Sequence, residues 1–350
     1  CEIEGLFKLL TMNISFFRPL YRKVKYHTAD RFAKKVVSYV KKHHVDIVVS
    51  YDDCSSLLFQ KLKEEAPDIL RVMDVSAANV LYMKSIYEKD IQLKPKFSSL
   101  LRKEREIVWN SDMIARTEKE LKNTQIFLAP SMFVSRSLQY SGINESSIRI
   151  CPYGVDTKKF ALKEYYDFQH DSAKAVQFVY VGGVKELKGI SYLLEAISRI
   201  PKEKATLVVV GTDNVEDGLI EAYRDRVVFT GSVLHSEVSK ILMESDVYVF
   251  PSLGEGLSLS TLEAASCGLP LIVTENSGVN DAMTEGKEGY VISIQSADEL
   301  EQSMWKFINN PQQIKQMGLE AREMALRYTW DTYYEKMGDI FEDLEKLMCK

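Results

Sequence analysis

The stretch Val247–Pro270, VYVFPSLGEGLSLSTLEAASCGLP, decides the fold. Four apolar residues of strand type (Val247–Phe250) run into a Pro/Ser/Gly turn and then Glu255-Gly256. A segment with helical spacing follows, holds Glu263 and stops at Cys267-Gly-Leu-Pro270. Strand, tight turn and helix in that order form the repeating element of a doubly wound α/β sheet. In such sheets ligands sit outside the carboxyl ends of the strands, and the unpaired N–H groups at a helix start favour phosphate there. Glu255 precedes the helix and Glu263 is expected about two turns along it. Eight residues at ~1.5 Å rise would separate the carboxylates by on the order of 12 Å. That span suits two carboxylates holding hydroxyls at either end of a diphosphate, one on a sugar and one on a ribose. Alone, each glutamate reads as a solvated helix residue. Framed by Pro-Ser and Cys-Gly-Leu-Pro, the pair reads as a site.

Similar runs extend in both directions. Val45–Tyr51, Ile69–Val75, Ile126–Ser131 and Ile148–Tyr153 read as strands in the first half. Val176–Gly182, Ala205–Gly211, Val227–Gly231, Val247–Ser252, Pro270–Thr274 and Gly289–Ile292 read likewise in the second. Most are continuous apolar runs, as parallel strands covered on both faces require. Ile190–Ile200 and Ser236–Ser245 carry helical spacing between them. The polar stretch Lys158–Ala175 reads as a linker between two such blocks. Near the end, Tyr334, Met337, Ile340, Phe341, Leu344 and Leu347 predict a helix with one buried face.

The chain has 350 residues, 45% hydrophobic and 27% charged, which suits two globular domains. No apolar run approaches the roughly 18 residues of a membrane span. The net charge of −5 conceals a split. Residues 1–160 carry 27 Lys+Arg against 19 Asp+Glu, a net of +8, and residues 161–350 carry 18 against 31, a net of −13. Five scattered cysteines form neither a CxxC pair nor a disulfide framework, so a reducing compartment is expected. The histidines show no metal spacing, and Asp52-Asp53 reads as a turn or helix cap.

A second element, Val181-Gly-Gly-Val-Lys-Glu-Leu-Lys188-Gly189, follows the first strand of the second half and opens a helix. Its glycines let backbone approach a ligand, and a lysine can meet a diphosphate as a point charge. It is neither GxGxxG nor a P-loop, which weighs against dinucleotide oxidoreductases and P-loop NTPases. Together the two elements resemble the retaining glycosyltransferases of family 4, whose E-x7-E signature stands here as Glu255–Glu263. Cys151-Pro-Tyr-Gly-Val-Asp156 with Phe160, Phe178-Val-Tyr-Val-Gly182 and Thr329-Trp-Asp331 are further matches.

The resemblance implies the α/β GT-B fold: two facing Rossmann-like domains with parallel sheets and a C-terminal helix returning to the first. The corresponding spans are an acceptor-side domain (1–162), a nucleotide-sugar-binding domain (163–329) and the returning helix (330–350). It implies transfer of a sugar, with retention, from a nucleotide-sugar donor to a glycan or lipid-linked acceptor in polysaccharide or glycolipid synthesis. Lys188 and Glu255 would be catalytic, Lys188 on the diphosphate and Glu255 on the donor sugar, while Glu263 would hold the ribose. Gly182 and Gly183 would approach the donor, the backbone of Gly256, Leu257, Ser258 and Leu259 would lie against sugar and phosphate, and that of Val233 and Leu234 against the base. No cofactor and no metal are expected.

Three positions differ from many relatives. Gly183 stands where they carry Arg, and Asn79 falls nearest to a first-domain His that faces the reacting sugar, with Asp74 beside it on the acceptor side. The family's opening strand and glycine-rich loop are not recognisable in Cys1–Leu20, so a chain lacking its first element is expected. These differences motivate an alternative, a non-catalytic or degenerate partner subunit. A 2-epimerase or phosphorylase on the same fold is disfavoured by E-x7-E. Between Arg18 and Lys42 nine basic residues face Asp30 alone, which predicts either a solvated helix face or a surface resting on anionic lipid. No nucleic-acid motif accompanies the charge. The expected location is cytoplasmic, peripheral on the inner face of the membrane.

Overall fold

The computed structural model describes residues 18–99, 101–102, 111–165, 175–212 and 218–348. The expectation about Cys1–Leu20 falls mostly outside them, as do the side chains of residues 18–25. The chain begins with α1 (Arg18–Val40), β1 (Ile47–Tyr51), α2 (Ser56–Glu65), β2 (Leu70–Asp74) and α3 (Val80–Leu93). It continues through α4 (Ser111–Asn123), β3 (Ile126–Ala129), α5 (Met132–Tyr140) and β4 (Ile148–Ile150). The second block runs β5 (Val176–Val181), α6 (Ile190–Ser198), β6 (Ala205–Val210), β7 (Val227–Gly231), α7 (His235–Glu244) and β8 (Val247–Phe250). It closes with α8 (Leu259–Ser266), β9 (Leu271–Thr274), β10 (Gly289–Ile292), α9 (Ala297–Asn309), α10 (Gln312–Ala325) and α11 (Trp330–Met348). Every expected strand is present, within two residues of its expected ends except β4, which stops three residues before Tyr153.

The strands form two sheets. The first has the order β1-β2-β3-β4, with β1/β2 and β2/β3 parallel. The second has the order β10-β9-β8-β5-β6-β7 and is parallel throughout. Its central strands explain the unbroken apolar runs. Phe178, Val179 and Tyr180 of β5, Val247–Phe250 of β8 and Leu271–Val273 of β9 are all buried, as strands covered on both faces must be. Ile190, Leu193, Leu194 and Ile197 of α6 close one side of that core.

By packing, the chain divides into two compact units. One holds the described residues up to Ser76, those between Glu104 and Leu128, and Ile143–Arg149. The other holds those from Ala77 to Lys103, Ala129–Gly142 and Ile150 onward. Residues 150–162 thus group with the second unit, on the far side of the expected division at residue 162. The reason is local. Val155 N donates to Tyr328 O at 2.8 Å, and the buried Phe160 offers its carbonyl to Ser266 Oγ at 2.6 Å and to Arg322 at 2.9 Å. Of the expected linker, residues 158–165 form neither helix nor strand, and residues 166–174 lie outside the described residues. In α11 the expected apolar face narrows to Ile340 and Leu344, with Tyr334 and Leu347 exposed. Its first turn meets Tyr153, the Tyr153 and Tyr333 rings lying 6.3 Å apart.

In the first unit, the Asp52-Asp53 pair forms a turn after β1, with Asp53 at φ 65°. The cap of α2 comes from elsewhere. Ser55 turns its hydroxyl back to Tyr51 O at 2.6 Å, and Glu120 of α4 accepts the N–H groups of Ser55 (2.8 Å), Ser56 (3.0 Å) and Asp53 (3.2 Å). A carboxylate in place of a side-chain cap satisfies the orphan donors of the first turn. Burial first, then the charge of Asp53, raise the Glu120 carboxyl to about 7 and that of Asp52 to about 6. Folding therefore favours the protonated forms, and their contribution is lost as pH rises through these values. The thermal midpoint of the wild-type protein is expected to fall from about pH 4.5 to about pH 7. Glu120→Gln, neutral throughout, should show a clearly shallower fall over the same range in a pH series of thermal melts.

Candidate functional site

The second sheet reverses its strand order between β5 and β8. After β5 the chain goes on to β6 on one side, and after β8 to β9 on the other. A crevice opens at the carboxyl ends of two strands whose connections diverge in this way. β5 delivers Gly182-Gly183 and then a single 3-10 turn, Glu186–Lys188. β8 delivers Pro251 to Ser258, and α8 begins at Leu259. Two buried tyrosines hold these loops from the strands themselves. Tyr180 fills the core with its ring and donates its hydroxyl to Gly183 O at 2.8 Å. Tyr248 places its hydroxyl 2.8 Å from Ser260 Oγ, which donates to Val181 O at 3.0 Å. An apolar body with a polar tip is what such a position needs.

The two loops meet at Gly189. Its φ is 71°, and a Cβ there would lie 1.9 Å from the Pro251 carbonyl oxygen. Leu253 N donates to Leu187 O at 3.1 Å, and Ser252 Oγ reaches the same carbonyl at 3.2 Å. This contact brings Lys188 to Glu255. Lys188 Nζ donates to Glu255 Oε1, and Ser252 Oγ donates to the same oxygen at 2.7 Å. The two side chains are 23% and 14% exposed, so the pair faces solvent at the crevice without being free in it. The loop beyond is fixed by Glu255 N to Asn276 O (2.9 Å), Asn276 Nδ2 to Leu253 O (2.9 Å) and Thr274 Oγ1 to Ser252 O (2.6 Å). Ser131 Oγ donates to Gly256 O at 2.6 Å. Ser258 caps α8, accepting from Thr261 N at 3.3 Å and Thr261 Oγ1 at 2.8 Å.

The helix therefore starts four residues after Glu255, and Glu263 lies little more than one turn along it, not two. Residues 255–258 are loop, so a helical rise does not describe the separation of the glutamates. Glu263 Oε1 lies 2.8 Å from His235 Nε2, and His235 Nδ1 lies 2.6 Å from Lys159 Nζ. Burial raises the Glu263 carboxyl above its ordinary range, and His235 opposes this. Val233 is half-buried and Leu234 is 70% exposed, its N–H accepted by Glu237 Oε2 at 3.0 Å.

Thus the sequence-expected donor residues from Gly182 to Glu263 all belong to the second unit, and Lys188 and Glu255 are in contact. Asp74 and Asn79 are divided. Asp74 ends β2 in the first unit, half-buried, its carboxyl raised by burial. Asn79 belongs to the second unit and caps α3, its Oδ1 accepting Leu81 N at 2.9 Å while its N–H goes to Ser137 Oγ at 2.9 Å. Four contributors escaped the sequence reading: Ser252, Asn276, His235 and Lys159. Ser252 sat three residues before Glu255 and His235 directly after Leu234, but what marks them is pairing across long sequence separations.

Most of the residues that build this crevice, Lys188, Glu255 and Glu263 among them, lie within a recognisable family segment. Residues 175–310 match the glycosyl transferases group 1 family. An uncharacterised glycosyltransferase of Methanocaldococcus jannaschii is 25% identical over 233 residues, 64% of this chain and 59% of that protein. The chain spans between about two fifths and three fifths of the length of the curated relatives it matches. Sucrose-phosphate synthase from Thermosynechococcus elongatus superposes with a TM-score of 0.72 at 20% identity, over 93% of this chain and 80% of that one. The Anabaena protein HepE, in complex with UDP-glucose, gives 0.64 at 14% identity, over 89% and 82%. The fold is GT-B.

Because Gly189 combines a left-handed φ with contact to the Pro251 carbonyl, Gly189→Ala should separate the two loops. The strain and overlap together exceed about 2 kcal/mol, which lowers the thermal midpoint by about 5 °C or more. A midpoint within a degree of wild type would remove this contact from its place in the site.

Proposed function

We propose that the chain transfers a sugar, with retention, from a nucleotide-sugar donor to a glycan or lipid-linked acceptor. The observation that carries this reading is the Lys188–Glu255 pair at the strand-order switch of a sheet within the matched family segment. On this reading the diphosphate takes the Lys188 ammonium from Glu255, and the freed carboxylate turns to the hydroxyls of the donor sugar. Gly256, Leu257, Ser258 and Leu259 offer backbone to sugar and phosphate, with Gly182 and Gly183 opposite. Glu263 exchanges its imidazole partner for the ribose, and the backbone of Val233 and Leu234 meets the base. Lys188 and the start of α8 balance the charge of the departing nucleoside diphosphate, so no divalent cation is required. Asp74 and Asn79 stand on the acceptor side. HepE, solved with UDP-glucose, supports a nucleotide-sugar as donor.

The exposed cations Arg31, Lys34, Lys35, Lys41 and Lys42, interspersed with exposed Phe32 and Tyr39, support a peripheral place on an anionic leaflet facing the cytoplasm. Co-sedimentation with anionic but not neutral vesicles is the expected result, and equal recovery with both would exclude it. A second reading, a nucleotide-binding partner subunit without turnover, is favoured by Gly183, which brings no charge, and by Asn79, whose side chain is committed to capping α3. A transfer assay with a panel of nucleotide-sugars separates the two.

The donor site itself is tested by thermal shift and titration with UDP, GDP and ADP and their sugars, run in EDTA. At least one should raise the midpoint, and Lys188→Ala and Glu263→Ala should each weaken binding about ten-fold or more. Unchanged affinity in both variants would overturn the site assignment.

A further inference from the structure

The turn that carries Lys188 is held from inside the protein. Glu186, two residues before Lys188, has no exposed surface. One of its oxygens accepts Ser191 Oγ at 2.5 Å and the other accepts Ser191 N at 3.2 Å, so the side chain also caps the start of α6. Facing it from α3 is Asp90, equally buried. Asp90 Oδ1 accepts Tyr192 Oη at 2.6 Å and Gln295 Nε2 at 3.2 Å. Its Oδ2 is buried and has no donor among the described residues. The Glu186 carboxyl stands within hydrogen-bonding reach of Asp90.

Two carboxylates at this range, out of water, cannot both stay ionised. A proton on Glu186 resolves the conflict: its O–H points at Asp90 Oδ2, and the orphaned oxygen gains its partner. We propose that Asp90 and Glu186 hold one proton between them, Glu186 donating to Asp90, and that this bond fixes the turn presenting Lys188. Glu186 is then a positioning residue, and the proposal rests on the reading of Lys188 as the diphosphate cation.

The charges around the pair leave the proton in place. Just after α3, Lys94 is paired with Glu195 of α6 and lies 4.6 Å from the centroid of the Tyr192 ring. On the turn, Lys188 is engaged by Glu255, and Lys185 flanks it. From α9, Asp298 and Glu301 meet Arg199, the residue that follows α6. Burial, then the charge of Asp90, push the Glu186 carboxyl well above its ordinary value, and burial raises that of Asp90. Because the folded state favours the bound proton, its contribution to stability is full below the ordinary carboxyl range, falls as pH rises beyond it, and is gone once pH passes the raised value.

Glu186→Gln keeps a neutral donor: its amide N–H can donate to Asp90 Oδ2 and its carbonyl can accept from Ser191 Oγ, with only the longer bond from Ser191 N given up. Glu186→Ala reproduces neither. The test combines infrared spectra of the ligand-free protein with affinities for UDP, GDP and ADP measured from about pH 7 to about pH 9.5. At about pH 8, where ordinary carboxyls are ionised, the wild type should show a protonated-carboxyl band that Glu186→Gln removes. At about pH 7, Glu186→Gln should bind within about two-fold of wild type and Glu186→Ala about ten-fold more weakly. Wild-type affinity should then fall toward alkaline pH while that of Glu186→Gln stays level. Absence of the band, coincident pH profiles, or a Glu186→Gln defect as large as that of Glu186→Ala would each overturn the proposal. Should none of the three nucleotides bind the wild type, the reading of Lys188 fails by itself. The band and the pH profile of the ligand-free melting midpoint then decide the proton pair: a band with a midpoint that falls more steeply above neutrality in the wild type than in Glu186→Gln upholds it, and absence of the band or coincident profiles overturns it.

Discussion

Gly189 lying against the Pro251 carbonyl is the contact on which the site depends. Two parallel strands that send their chains in opposite directions leave an opening at their carboxyl ends. What fills it here is backbone against backbone, with no room for a side chain. That closeness sets Leu187 O within reach of Leu253 N and Ser252 Oγ, and it leaves Lys188 and Glu255 to meet. The strands are tied to the same loops by the hydroxyls of Tyr180 and Tyr248, so core packing and site geometry are set by the same two rings.

The electrostatics of the site follow from placement, not from bulk charge. Residues 161–350 carry a net of −13, a poor environment for an anion. A lysine held at a crevice by a carboxylate that a serine hydroxyl fixes is a local exception. That carboxylate orients it, and it remains 23% exposed. Glu263 on α8 repeats this pattern: a half-buried carboxylate kept beside the His235 imidazole, whose other nitrogen meets Lys159.

Much of this was legible in the chain because parallel strands covered on both faces leave unbroken apolar runs, and because the Pro/Ser/Gly turn after Phe250 stands out between two of them. The α/β class, the strands of the second sheet and the segment holding Lys188, Glu255 and Glu263 all follow from such local signals. The start of α8 did not. The helical spacing of Leu259–Ser266 extends by eye back to Glu255, whereas the backbone of 255–258 is pinned as loop by Asn276 and Ser277. His235, Ser252 and the Asp90–Glu186 pair were hidden for another reason. Their roles come from partners tens to a hundred positions away, and no local pattern encodes them. The division at residue 162 differed because Phe160 and Val155 are recruited into the second core by Ser266, Arg322 and Tyr328.

The most direct measurement is a crystal structure of the protein with the best-binding nucleoside diphosphate. The diphosphate should lie against Lys188 Nζ and the 256–259 backbone, with the Lys188–Glu255 pair opened and Glu263 turned from His235 to the ribose. A nucleotide bound elsewhere, with Lys188 still on Glu255, would contradict the assignment of this crevice as the donor site.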